Sequence, residues 1–169
     1  MGLSQKRQPL FLGVRDVWTI APMTAADAAA VAALERACFA HPWSEDAVAA
    51  ELENPAAVFL VAKTKSGEIG GYVGMLCAAD EGAITNVAVS PHCRRKGCAD
   101  ALLTALCARA AELCRIALEV RVSNIAAIAL YEKHGFSRVG VRPRFYRTPT
   151  EDAYIMMRER RVEDVHTGN

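Results

Sequence analysis

Between residues 94 and 99 the chain reads Arg94-Arg95-Lys96-Gly97-Cys98-Ala99, after a strand-like run and ahead of a long helical pattern. A strand-to-helix junction of this kind aims several backbone N–H groups and the positive end of a helix at one point. A phosphate fits there without any base or metal. Gly97 and Ala99 keep the surface low enough for a ligand to reach the backbone, and Arg94, Arg95 and Lys96 add charge suited to a diphosphate. The same hexapeptide also describes a solvated basic turn before a surface helix, because short Gly-containing loops are common. Neither G-x-x-x-x-G-K-[ST] nor G-x-G-x-x-G is present, which rules out a P-loop and weakens a dinucleotide reading.

Two further side chains stand out downstream. Glu119 interrupts an apolar run between Leu118 and Val120. On one reading Ala117, Glu119 and Arg121 form the exposed face of a half-buried strand. A strand that follows a crossover helix is usually covered on both faces, however, and a carboxylate there is unusual. Tyr131 follows Asn124 by about two helical turns, so the two share one helix face. Taken alone, Tyr131 reads equally as a core aromatic with its hydroxyl satisfied at the edge.

The cysteines are Cys38, Cys77, Cys93, Cys98, Cys107 and Cys114. No pair is spaced C-x-x-C and the histidines complete no zinc pattern, so free buried thiols in a reducing compartment are expected, with no disulfide framework and no metal. Cys98, Cys107 and Cys114 are expected within one helix. Cys93 and Cys98 flank the basic turn, but no histidine is placed to activate either as a nucleophile, although His92 adjoins Cys93.

These residues need elements to hold them. Val17 to Ala21 reads as a first strand, and Thr24 with Asp27 marks a helix start. Ala28, Val31, Leu34 and Cys38 form its apolar stripe, His41-Pro42-Trp43-Ser44 breaks it, and Ser44 caps a second short helix. Val58 to Ala62, Ile69 to Cys77 and Ile84 to Val89 are strand-like, the first two joined as a hairpin through Lys65-Ser66-Gly67. Ala99, Leu102, Leu103, Leu106, Ala110 and Leu113 follow helical spacing, Ile116 to Val122 alternates, and Ser123 or Asn124 caps a helix ending at Gly135. Phe136 to Val141 and Ala153 to Met157 are final strands joined by a polar loop. The β-α-β at 84 to 122 implies a parallel pair inside a mixed α/β sheet.

The bulk numbers are those of one ordinary domain: 169 residues, 52% hydrophobic and 23% charged. A leader over 1–15, a single domain over 16–160 and a tail over 161–169 are expected, the ends flexible. The net charge of +1 gives no field pointing to nucleic acid. No stretch approaches the ~20 apolar residues of a membrane span, and no signal peptide is recognisable, so a cytoplasmic location is expected.

Arg94-x-x-Gly97-x-Ala99, with Asn86-Val87-Ala88-Val89 before it, resembles the Q/R-x-x-G-x-G/A signature of the GNAT acetyltransferase superfamily. Leu118 to Asn124 and Ala127 to Phe136 resemble the bacterial ribosomal-protein-alanine N-acetyltransferases. So do His41-Pro42-Trp43-Ser44, Phe145-Tyr146 and Glu151-Asp152-Ala153, and the likeness runs from about residue 17 to 158. The resemblance implies a mostly antiparallel sheet splayed between a parallel fourth and fifth strand, with acetyl-CoA in the gap. It implies that Val87, Ala88 and Val89 meet the pantetheine arm and thioester. It puts the diphosphate on Arg94, Arg95, Lys96, Gly97, Cys98, Ala99 and Asp100, and Asn124 and Tyr131 beside the cofactor. Glu119 is then the general base for an amine and Tyr131 the general acid for the departing thiolate. The implied acceptor is a protein N-terminus, alanine of a ribosomal protein, entering between His41–Ser44 and Arg142–Thr150. Trp43, Phe145 and Tyr146 would be its walls, though they read equally as ordinary core or rim aromatics, and Arg142, Arg144 and Arg147 as a solvated rim or a guide for an acidic partner. A small amine (a polyamine, an aminoglycoside or an amino acid) is the alternative acceptor, and a non-catalytic CoA-binding module the alternative class.

Overall fold

A computed structural model of the chain describes residues 18–160. The expected leader and tail lie outside these described residues. The strands are β1 (Thr19–Pro22), β2 (Ala57–Lys63), β3 (Ile69–Ala78), β4 (Glu81–Val89), β5 (Arg115–Arg121), β6 (Ser137–Arg147) and β7 (Thr150–Glu159). The helices are α1 (Ala28–Cys38), α2 (Glu45–Leu52), α3 (Cys98–Arg109) and α4 (Ile125–Lys133). They form one seven-stranded sheet in the order β1-β2-β3-β4-β5-β7-β6, antiparallel except for the parallel β4–β5 pair.

Local chemistry sets most of the boundaries. The Thr24 N–H donates to Asp27 Oδ2 at 2.9 Å in a capping box, which opens one 3-10 turn (Ala25–Asp27) before α1 proper. Asp27 also pairs with Lys63 at 2.9 Å, tying the start of α1 to the end of β2. Ser44 Oγ accepts from the Ala47 N–H at 3.2 Å and caps α2. Of the two candidate caps for α4, Asn124 is the one used: its Oδ1 accepts from the Ala127 N–H at 3.2 Å.

Two expectations are corrected. Leu113 and Cys114 lie beyond α3, which ends at Arg109. The chain must turn there to enter the sheet beside β4, and the Cys114 N–H is taken by the Asp80 carbonyl at 2.7 Å. Leu113 keeps its helical spacing because it still packs on the core under α3. The final strands also run further than their apolar residues, to Arg147 and from Thr150, so the polar loop shrinks to a tight turn. The ladder continues through Arg142–Ala153 and Tyr146–Glu151 because backbone pairing at a sheet edge needs no apolar side chain.

The core lies on both faces of the sheet. Val31, Leu34, Val48, Val61, Tyr72 and Ala88 pack under α1 and α2. Leu60, Val73, Met75, Leu102, Leu106, Ile116, Leu118, Val120 and Ile128 pack on the side of α3 and α4. The first turn of α3 presses close to β3: a Cβ on Gly71 would stand 2.8 Å from Cys98 Sγ, so a bare strand position and a small thiol are matched there.

Two irregularities position the site. Opposite β3, Gly74 faces Asn86 but Met75 faces Ile84, so Thr85 is an extra residue in β4. This bulge changes the side on which the strand presents its residues. Ile84 packs on the α3 side, whereas Asn86 reaches Glu35 of α1 and Ala88 packs beneath it. Second, β4 and β5 pair only through Glu81–Arg115, Gly82–Ile116 and Ala83–Ala117. Beyond those three positions the two strands part.

Candidate active site

Where β4 and β5 separate, a cleft of about 500 Å³ opens. Thr85, Asn86 and Val87 line it from β4, Glu119, Val120 and Arg121 from β5, and Asn124 and Tyr131 from α4 and its cap. The segment between α1 and α2 contributes Phe39, Ala40, His41 and Trp43, and the β6–β7 end contributes Phe145 to Thr148. His41 Nε2 and Thr148 Oγ1 share a hydrogen bond of 3.2 Å between these two walls. Arg121 holds the second wall in place. Its guanidinium donates to the Pro149 and Thr148 carbonyls at 3.0 and 3.1 Å, pairs with Glu151 at 3.2 Å and lies 4.1 Å over the Tyr146 ring.

Glu119 alternates with Leu118 and Val120, which are buried under α3 and α4, so its side chain projects from the other face into the cleft and is 30% exposed. Its Oε1 meets Arg142 Nε at 3.3 Å. Tyr131 is only 8% exposed, its ring set edge-on to Phe136 with centroids 5.9 Å apart. It borders the cleft. Burial pushes the Tyr131 hydroxyl up to about 12, so it keeps its proton through the neutral range.

The basic turn lies past the end of β4 and does not line this cleft. Gly97 adopts a left-handed conformation at φ 78°, and no side chain caps the helix that follows. Among the described residues no acceptor meets the N–H groups of Cys98, Ala99 or Asp100. Lys133 Nζ and His134 Nε2 each hold the Asp100 carboxylate at 2.8 Å and keep it below the usual carboxylate range, which draws the one negative charge of this turn away from the exposed amides. The Trp18 indole N–H anchors the turn by donating to the Lys96 carbonyl at 2.9 Å. Arg94 folds back to the Val89 carbonyl at 3.4 Å and Arg95 is exposed.

Sequence reasoning and structure therefore coincide in part. Val87, Glu119, Asn124, Tyr131, Trp43, Phe145 and Tyr146 meet in one cleft. Ala88 does not: it is buried beneath α1. The Val89 carbonyl is engaged by Arg94 and by the Cys38 thiol. Among the cleft residues to which the sequence reading gave no role, two form a buried network. Glu35 is 1% exposed, its Oε1 accepting from the Tyr72 hydroxyl and from Asn86 Nδ2 (3.2 Å), its Oε2 from the Trp43 N–H (3.0 Å). Its signal was present, since Glu35 stands on the apolar stripe of α1 one turn after Val31 and one before Cys38. Asn86 stood in the Asn86-Val87-Ala88-Val89 motif, but the bulge decides which face it occupies.

Three buried groups make stability depend on alkaline pH. Burial raises Tyr72, and pushes Tyr131 and the Cys98 thiol each up to about 12, from ordinary values of ~10 and ~8.5. The folded chain then keeps protons that the unfolded chain releases. Their contribution is complete below pH ~8.5 and is lost as pH climbs toward about 12, at up to about 1.4 kcal/mol per pH unit per group. Urea midpoints at pH 8, 10 and 11 are expected to fall steeply between the last two; a flat series would show these groups to be solvated.

Comparison with known proteins identifies the family. The acetyltransferase (GNAT) family matches residues 28–136. The chain is 39% identical over 130 residues to a putative ribosomal protein bS18-alanine N-acetyltransferase of Bacillus subtilis, covering 73% of this chain and 83% of that one. It is 34% identical over 142 residues to the bS18-alanine N-acetyltransferase of Escherichia coli, covering 82% and 95%. The crystal structure of the ribosomal-protein-S18-alanine N-acetyltransferase from Escherichia coli superposes with a TM-score of 0.78 at 30% identity, over 90% of this chain and 100% of that one.

Proposed function

The chain belongs to the acetyltransferase (GNAT) family, and we propose that it moves the acetyl group of acetyl-CoA to the N-terminal α-amine of a protein, an alanine-starting ribosomal protein. One observation carries this reading: Glu119 and Tyr131 face the same cleft where β4 and β5 part. The relatives named for bS18-alanine acetylation, alike over most of both chains, support the choice of acceptor. Such a target places the reaction in the cytoplasm, and among the described residues no helix is long and apolar enough to cross a membrane.

The residues present fit the co-substrate. The unpaired amides of Cys98, Ala99 and Asp100 sit at a helix start suited to a diphosphate. A Cβ on Gly97 would have nothing within 4 Å, so the surface there is open. When bound, acetyl-CoA supplies a thioester carbonyl as the electrophile. An α-amine with an ordinary pKa of ~8 is partly protonated near neutrality. Glu119 takes that proton, directly or through a water, and so exposes the lone pair; it passes the proton to solvent and takes the second one that the nitrogen sheds as the amide forms. The Tyr131 hydroxyl, bordering the same cleft, would supply a proton to the thiolate that leaves. A thiol of pKa ~8.5 is a tolerable leaving group, so Tyr131 assists departure without being indispensable. Transfer is direct: Cys98 is buried as a neutral thiol, a poor nucleophile.

Release of CoA is the assay. A peptide starting with alanine is expected to turn over with a kcat/KM at least about tenfold above that of a polyamine, an aminoglycoside or a free amino acid, a gap of about 1.4 kcal/mol. Turnover of the small amines without the peptide would transfer the reading to a small-molecule enzyme, and turnover of neither would leave a binding module.

A further inference from the structure

Asn86 Oδ1 is the one buried side-chain polar atom without a hydrogen-bond partner among the described residues. A native fold rarely leaves such an acceptor idle, because burial strips it of water and gives nothing back. Its orientation is imposed from the other end of the amide. Glu35 Oε1 takes Asn86 Nδ2 at 3.2 Å; a reversed amide would set oxygen against oxygen. Glu35 cannot adapt, because Tyr72 and the Trp43 N–H already fix both its oxygens.

The register sets the level of Asn86 in the sheet. Ala83 of β4 lies opposite Ala117 of β5. Asn86 is three residues further along β4, one of them absorbed by the bulge at Thr85, and Glu119 is two further along β5. Asn86 and Glu119 thus reach the same level on the two strands as these part, and both line the cleft. Asn86 leaves β4 on the α1 side, the face opposite the one that buries Leu118 and Val120, from which Glu119 also projects.

We infer that Asn86 Oδ1 is the docking acceptor for an N–H of the incoming amine, with Glu35 as the positioning residue behind it; the inference rests on the amine-acetylation reading above. An attacking amine must hold its lone pair toward the thioester carbon while its hydrogens are satisfied. Glu119 takes the hydrogen that is lost, and Asn86 holds one that is kept and so fixes the nitrogen's rotation. No proton passes to Asn86.

The test compares two ligands on CoA-loaded enzyme: an alanine-starting peptide and its des-amino analogue, in which a propanoyl group replaces the alanine. Asn86→Leu is nearly isosteric, and Asn86→Ala is the second variant in case the first does not fold. Either is expected to cut the preference for the amine peptide by about tenfold, while affinity for the des-amino peptide and KM for acetyl-CoA move by less than about twofold. A purely structural Asn86 would weaken both peptides by the same factor, and that result, or an intact preference, overturns the inference. If the wild-type enzyme takes only a small amine, the acceptor reading above has failed, and the same comparison with that amine and its des-amino analogue still decides the role of Asn86.

Discussion

Exchanging Glu119 for Gln is expected to lower kcat for an alanine-starting peptide by about two to four orders of magnitude at pH 7, the usual worth of a positioned general base. The change keeps the shape of the side chain and removes only its ability to accept a proton. The sheet is indifferent to it, since Leu118 and Val120 on the opposite face carry the packing of β5. Arg142 loses its partner, but it is largely exposed, and such a pair contributes little to stability. KM for acetyl-CoA should therefore stay within about twofold. The pH profile carries the sharper test. Without a base, the enzyme depends on the amine that is already deprotonated, a fraction that grows about tenfold per pH unit below ~8. The deficit of Glu119→Gln should shrink from pH 6 toward pH 9, whereas damage to the fold would leave a deficit that pH does not repair. Unchanged turnover at neutral pH would remove Glu119 from the chemistry.

What could be read from the sequence follows the range of the physical cause. Thr24 with Asp27, Ser44, and Lys65-Ser66-Gly67 act within a few residues of themselves, and each marks the boundary expected of it. The basic turn is likewise local: the hexapeptide marks the strand-to-helix junction, and the structure starts α3 there behind a left-handed Gly97. Glu119 was legible only as an anomaly, a carboxylate in an apolar run, because which face of β5 opens to the cleft depends on where β4 leaves it. The extent of β6 was hidden because its polar residues are held by backbone pairing to β7. The face occupied by Asn86 was hidden because one extra residue at Thr85 decides its side of the sheet, and no local rule announces a bulge with no glycine at its centre.

Glu35→Ala is expected to cost about 3–5 kcal/mol, because it strands several buried donors at about 1–3 kcal/mol each. Glu35 is the point at which α1, the segment leading to α2, β3 and β4 meet in one carboxylate. Deleting it strands the Tyr72 hydroxyl, one Asn86 N–H and the Trp43 N–H together, and leaves a cavity beneath the cleft. For a domain of this size that corresponds to a fall in Tm on the order of 10 °C. Glu35→Gln is milder and more informative. A carboxylate accepts at both oxygens, and both are used; an amide has one oxygen and must present its NH2 either to the Trp43 N–H or to the Tyr72 and Asn86 donors. About 1–3 kcal/mol is expected from that mismatch. The functional cost then appears below the new Tm, where the variant is folded. The wall bearing Trp43 is released, so KM for the peptide should rise while KM for acetyl-CoA stays within about twofold. A melting temperature within about 2 °C of wild type for Glu35→Ala would mean that water replaces the carboxylate freely, and the network would then be a solvated pocket instead of the keystone between the acceptor wall and the sheet.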